Sequence, residues 1–249
     1  ELGGLASLIS KIPAKNRLAD FPHYLMHRAE QLENLYIFTN TEGTPENIRK
    51  FHPNIIVSST GSAPLLPPIA GLKDRIDNED YNIYSILGMI NHINDFPKDL
   101  EGKKVVVVGG GAVGLDVVEF FADRNADISI VEMMDQIGRD LDPVSKNDTK
   151  AMMKKHNVHQ LTKTALLEVK DSSFLVKGDG EPYELPFEYG FVCLGMRAQG
   201  QLYQSLAEEF SSEDVEIMNI GDSQRARRII DGTQEGRNIL TILEQRGYL

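Results

Sequence analysis

Residues 103–132 hold side chains whose types and spacing could do chemistry: a run of glycines, then one glutamate 18 residues after the last of them. Gly109, Gly111 and Gly114 fit the pattern G-x-G-x-x-G. Each glycine has its own task in such a turn. Gly109 permits a tight exit from a strand, Gly111 lets a pyrophosphate approach the backbone, and Gly114 lets a helix lie close to the strand. Ala112 and Val113 enter as backbone N–H donors at the helix start, where the helix dipole favours phosphate. A carboxylate at Glu132 can accept hydrogen bonds from both hydroxyls of an adenosine ribose. It repels a 2′-phosphate, so NAD(H) is expected over NADP(H).

The elements needed to position these groups are legible around them. Four consecutive valines, Val105 to Val108, read as a strand buried on both faces. Residues 115–125 carry Leu115, Val118, Phe121 and Ala122 at helical spacing, and residues 128–131 read as the next strand, ending on Glu132. Strand, glycine turn, helix, strand and acid in that order are the context that gives the glycine pattern its meaning.

The chain has 249 residues, of which 41% are hydrophobic and 25% charged, as in an ordinary globular protein. A net charge of −11 argues against a nucleic-acid backbone as partner. No apolar run approaches the ~20 residues that span a bilayer, and no secretory signal is present. The single cysteine, Cys193, excludes an internal disulfide and suits a reducing, cytoplasmic setting. The first residue is Glu1, not Met, which reads as a piece of something longer.

Along the chain, residues 1–13 read as a loop and 15–33 as a helix. Residues 35–38 read as a short strand, and Thr44 opens a helix with Pro45 at its first position. A strand over 54–59 runs into Thr60-Gly61-Ser62, followed by a proline-rich crossover. After a helix near 85–94 comes the dinucleotide unit. Asp142-Pro143 starts a further helix, 158–162 is a third parallel strand, and 166–185 a small antiparallel meander. An apolar strand over 191–194 ends on Gly195, on the sheet edge where a nicotinamide should lie. Helix 201–210, strand 215–220 closed by Gly221-Asp222, and a final helix over 225–246 complete the chain. That helix would turn Ile229, Ile230, Thr233, Ile239, Leu240 and Leu243 inward. Alternating strands and helices imply an α/β fold, a Rossmann-like doubly wound parallel sheet. Residues 99–199 form an NAD(H)-binding lobe inserted into a discontinuous lobe of 1–98 plus 200–249.

Four passages match one family: TGSAP at Thr60 to Pro64, GGGAVG at Gly109 to Gly114, CLGMR at Cys193 to Arg197, and IGDSQRARRIIDGTQEG at Ile220 to Gly236. In that order they resemble the two-dinucleotide-fold flavoprotein reductases of the pyridine nucleotide-disulfide oxidoreductase fold. The opening ELGG…SKIP and the final helix resemble the C-terminal half of NADH:flavin oxidoreductases similar to bacterial 2,4-dienoyl-CoA reductase. The resemblance implies an FAD-type lobe carrying an inserted NADH lobe, with hydride passing from NADH to FAD. It implies residual FAD contacts at Thr60, Gly61 and Asp222, the last to the ribityl chain, with nearby backbone N–H groups facing a phosphate. The family's first FAD-binding unit, its main phosphate cradle, is not in this sequence. The intact parent is therefore expected to supply it, together with an FMN barrel and an iron–sulfur domain, and this chain to hold FAD weakly or not at all. The missing unit would leave apolar surface through which a homodimer could form. No side chain is required as acid or base, and no metal site is expected: His156 and His159 lack a third ligand. Arg225, Arg227 and Arg228 would meet acidic neighbours or the absent domain. A non-catalytic NADH-binding or sensing module needs the same glycine turn and stands as the alternative.

Overall fold

The computed structural model describes residues 2–248. They fall into two units: residues 6–22 with 64–195, and residues 2–5 with 23–63 and 196 onward.

The valine strand, Lys104–Val108, is the centre of the first of these. Its four valines are all buried. Val106 and Val108 join one cluster with Leu72, Ile83, Phe174, Val176 and Phe187. On the opposite face rings of Phe96, Phe120, Phe121, Tyr189 and Phe191 meet mostly edge-on or tilted, Phe121 and Phe191 at 4.8 Å, while Phe121 stacks on Tyr189. The sheet is parallel, in the order Ile83–Tyr84, Tyr189–Val192, Lys104–Val108, Asp127–Val131, His159–Leu161. The antiparallel meander Ala165–Val169, Ser173–Lys177, Tyr183–Pro186 supplies Phe174 and Val176 to the first cluster. From the central strand the chain moves to one side through Asp127–Val131, while Tyr189–Val192 returns on the other. The crevice between these two strand ends is a topological switch point, where ligands of open α/β sheets sit.

The other unit has a two-stranded parallel sheet, Ile55–Ser58 beside Glu216–Asn219, and a small core of Ile56, Leu206 and Phe210. Arg49 ties it together: its guanidinium donates to Glu209 and Glu213 and lies 4.7 Å over the Phe210 ring.

Several sequence expectations need correction. The opening loop holds a short helix, Gly4–Ile9, and the helix expected over 15–33 is a 3-10 turn, Pro13–Ala19, followed by Asp20–Glu30. Residues 35–38 form no strand, since no neighbouring strand pairs with them. The final helix begins at Ile229, after a 3-10 turn at Gly221–Ser223, and only Leu243 on it is buried. Ile229, Ile230 and Leu240, expected inside, are exposed. Their spacing is amphipathic, but this unit offers them no surface to cover. Among the described residues, no helix is long and apolar enough to cross a membrane.

Candidate functional site

The glycine turn is built from close approaches. Gly109 has φ +109°, and a Cβ there would lie 2.1 Å from the Cys193 carbonyl oxygen. A Cβ on Gly114 would lie 1.9 Å from the Gly109 carbonyl oxygen. The helix Ala112–Ala122 is thereby seated directly on the turn. It opens at Ala112, three residues earlier than the hydrophobic spacing indicated, with Gly111 as its N-cap and no side chain capping it. Gly111 differs from its companions. Its φ is −79°, it is exposed, and nothing lies within 4 Å of a Cβ built on it. Beyond it the first N–H groups, Ala112 and Val113, have no intrahelical acceptors. This is open space in front of orphan donors, the arrangement an anion needs.

Glu132 reaches under the turn. Its carboxylate accepts from the Gly110 N–H at 2.7 Å and from the Met134 N–H at 2.7 Å. An ionised carboxylate has about four acceptor sites, so two remain for ribose hydroxyls. Gly110 is a requirement that the motif reading missed. A Cβ there would sit 3.0 Å from Glu132 Oε2. The loop after Glu132 is pinned to the same place, because Gly138 N–H donates to the Gly110 carbonyl at 2.7 Å. Gly195 lies beyond the end of Tyr189–Val192, with φ +103° and open space around it; its carbonyl accepts from Leu65 N–H. Cys193, in the same passage, is buried, and burial pushes its thiol up to about 12. It is a neutral packing residue.

A charged cluster that the sequence did not reveal sits on the same helix. Lys15 Nζ lies 3.0 Å from Asp116 and 3.1 Å from Glu119. Burial pushes the Asp116 carboxyl up, against the pull of Lys15. Burial alone would lower the Lys15 ammonium, yet the two carboxylates outweigh it and leave it raised. Asp116 and Glu119, one turn apart just past the glycine motif, were a visible signal. Their partner, a hundred residues upstream, was not.

The second group of expected residues lies in the smaller unit. Asp222 accepts from Ser62 Oγ at 3.0 Å and from the Arg227 N–H at 3.0 Å, one donor to each carboxylate oxygen. Thr60 Oγ1 donates to the Gln199 carbonyl at 2.5 Å, and the Gly61 carbonyl accepts from Gln199 N–H. Gly61 and Gly221 both have left-handed φ and open space where a Cβ would be. Ser58 Oγ is buried with no partner among the described residues. Asp222 with its spare acceptor sites fits a polyol chain. A phosphate is another matter. The Gly221 N–H donates to Glu235 at 2.6 Å, and Glu235 also takes Arg227 at 2.5 Å. Arg228 pairs with Asp231. These two arginines, just ahead of the helix Ile229–Gln245, meet acidic residues on it.

The pattern of the pyridine nucleotide-disulphide oxidoreductases matches residues 33–218, three quarters of the chain. The chain belongs to that family. Within it, a metal reductase of Desulforamulus reducens is 26% identical over 96% of this chain and 38% of its own length. An NADH oxidase of Thermoanaerobacter brockii is 24% identical, over 94% of this chain and 35% of its own. Among solved structures, a 2-naphthoyl-CoA reductase in complex with 2-naphthoyl-CoA superposes with a TM-score of 0.78 at 22% identity, over 94% of this chain and 33% of that one. Histamine dehydrogenase from Rhizobium sp. 4-9 gives a TM-score of 0.77 at 15% identity, over 96% of this chain and 37% of that one. Both structures share the fold. This family member spans little more than a third of the length of the relatives it matches.

Proposed function

We propose that this chain is the NADH-binding portion of a flavin-dependent oxidoreductase. The observation that carries the reading is the contrast within one motif. Gly109 and Gly114 have no room for a side chain, whereas Gly111, the N-cap of the helix, faces open space and is not held to glycine by any neighbour. A glycine that packing does not require is explained by a ligand that approaches the backbone there. NADH would lay its pyrophosphate against Gly111 and the Ala112 and Val113 N–H groups, and its adenosine ribose on Glu132. Its nicotinamide would lie near Gly195, at the switch point of the sheet.

In the intact protein NADH would give hydride to FAD, which supplies the electron-accepting chemistry when bound. The protein's part is positioning. Thr60, Gly61 and Asp222 would touch the flavin's polyol side. The first FAD-binding unit and an FMN and iron–sulfur domain would come from elsewhere in the parent, in keeping with relatives far longer than this chain. The second reading, an NADH-binding or sensing module without turnover, is favoured for the isolated chain by the Gly221 N–H already held by Glu235.

Fluorescence titration with NADH tests the proposal. Gly111→Ala should weaken binding at least about tenfold, which is ~1.4 kcal/mol, while lowering stability by no more than the ~1 kcal/mol of a poorer helix N-cap. Equal affinity in the two proteins would contradict the assignment.

A further inference from the structure

The helix Asp20–Glu30 has two unlike sides. Phe21 and Leu25, one turn apart, form the apolar side. At ~100° per residue, His23 and His27 lie about 160° to either side of Leu25, on the far side of the helix. Asp20 and Glu30 fall on that same polar side, three residues outside the pair at each end. Any surface that this helix packs on meets it through the apolar side, so the histidines face solvent whether or not that surface is covered. Both are exposed.

Four residues apart on a helix, two side chains have Cβ atoms ~5–6 Å from one another. Two imidazoles at this spacing can close on one ion, as the paired histidines of helical zinc sites do. The other histidines are placed differently. His92 lies against Asp95 and His159 against Asp127. His156 ends a helix while His159 belongs to a strand, so those two share no face. On the helix Asp20–Glu30, the His27 ring accepts at Nε2 from the Gln31 amide, 3.2 Å away. That nitrogen therefore carries a lone pair at the surface, held by one exposed hydrogen bond that a metal ion can replace.

We propose that His23 and His27 chelate one divalent transition-metal ion, Cu2+ ahead of Ni2+ and Zn2+, on the solvent side of this helix. Imidazole nitrogen suits these ions, and their order of affinity follows from the metals themselves. Among the described residues no three His, Cys, Asp or Glu side chains gather around one point. The site is accordingly a chelate of two nitrogens with its other positions filled by water. The Asp20 and Glu30 carboxylates flank it and draw a cation towards it. Asp20 shares its charge with Arg17 at 3.6 Å.

Isothermal titration of the 249-residue chain with the chlorides of Cu2+, Ni2+ and Zn2+ tests this. One saturable site is expected, tightest for Cu2+, with His23→Asn and His27→Asn each weakening it at least about tenfold. His156→Asn should leave it unchanged. His27→Gln combined with Arg28→His keeps the number of histidines but breaks their spacing, and should weaken binding as far as His27→Asn does. Ni2+ should also raise the melting temperature of the unaltered chain and not of His27→Asn, since an ion held only by the folded helix stabilises it. Unchanged circular dichroism would show that these surface variants fold. No saturable binding up to ~1 mM metal, the weak end of the affinity scale, would overturn the proposal. So would a site indifferent to His23→Asn and His27→Asn, or one that survives the change of spacing.

Discussion

At Gly111 and Gly114 the same residue type answers to different physics. A Cβ at Gly114 would collide with the Gly109 carbonyl at 1.9 Å. Gly114→Ala is expected to cost about 1–3 kcal/mol in stability, as overpacking does, and thermal melting would show it. The corresponding change at Gly111 meets no neighbour and costs the fold at most about 1 kcal/mol as a poorer helix N-cap, while it costs the ligand more. Sequence spacing picked out both glycines without separating their roles, since only coordinates show which of them has a neighbour. It passed over Gly110, whose constraint is the Glu132 carboxylate reaching in from the next strand. Glu132→Gln would turn an amide donor toward one of two backbone N–H groups. The expected outcome is a loss of about 1–2 kcal/mol together with weaker NADH binding, read by melting and titration. Cys193 was legible as a core residue. With its thiol held near pKa 12 by burial, with Asp116 and Asp77 adding to it, alkylation at pH 8 should proceed only after denaturant is added; rapid labelling of the native chain would contradict that burial.

At the scale of elements, strands flanked by their own turns were readable and pairings between distant segments were not. Asp142 caps Pro143–Lys155 through the Val144 and Ser145 N–H groups, and Thr44 caps Pro45–Arg49, as their local signals indicate. Residues 35–38 have the composition of a strand. A strand is a relation between two segments, and that relation is not local. The Lys15 cluster is another non-local feature. Lys15→Met would leave Asp116 half-buried without its cation, and a cost of about 1–2 kcal/mol is expected, between exposed and buried pairs. Adding Asp116→Asn should recover part of it, a coupling that a double-mutant cycle would measure. The tie between Glu235, Gly221 and Arg227 is sensitive to acid. The Gly221 N–H, then Arg227, hold the Glu235 carboxyl below its ordinary value. Its contribution is present above about pH 4.5 and is lost as pH falls through the lower folded value. Glu235→Gln should therefore flatten the acid side of the stability profile of this unit.

Across the whole molecule the two units are unequally built. One has a five-stranded parallel sheet filled by valines and interlocking rings. The other has a small core of Ile56, Leu206 and Phe210, with Met218 and Leu243 also buried, beside a two-stranded parallel sheet. Calorimetric unfolding should therefore show two transitions, the smaller unit first, with NADH raising only the second. The glycine turn and the two strands that flank it were legible because every requirement falls within one stretch of about thirty residues. The final helix's exposed face was misread because periodicity reports a face without reporting what covers it.

Isothermal titration of the purified chain with NADH, NADPH and FAD tests the central claim most directly. The account predicts NADH binding at least about tenfold tighter than NADPH, a margin of ~1.4 kcal/mol, with FAD weak or absent. Tight, stoichiometric FAD, or no preference between NADH and NADPH, would contradict it.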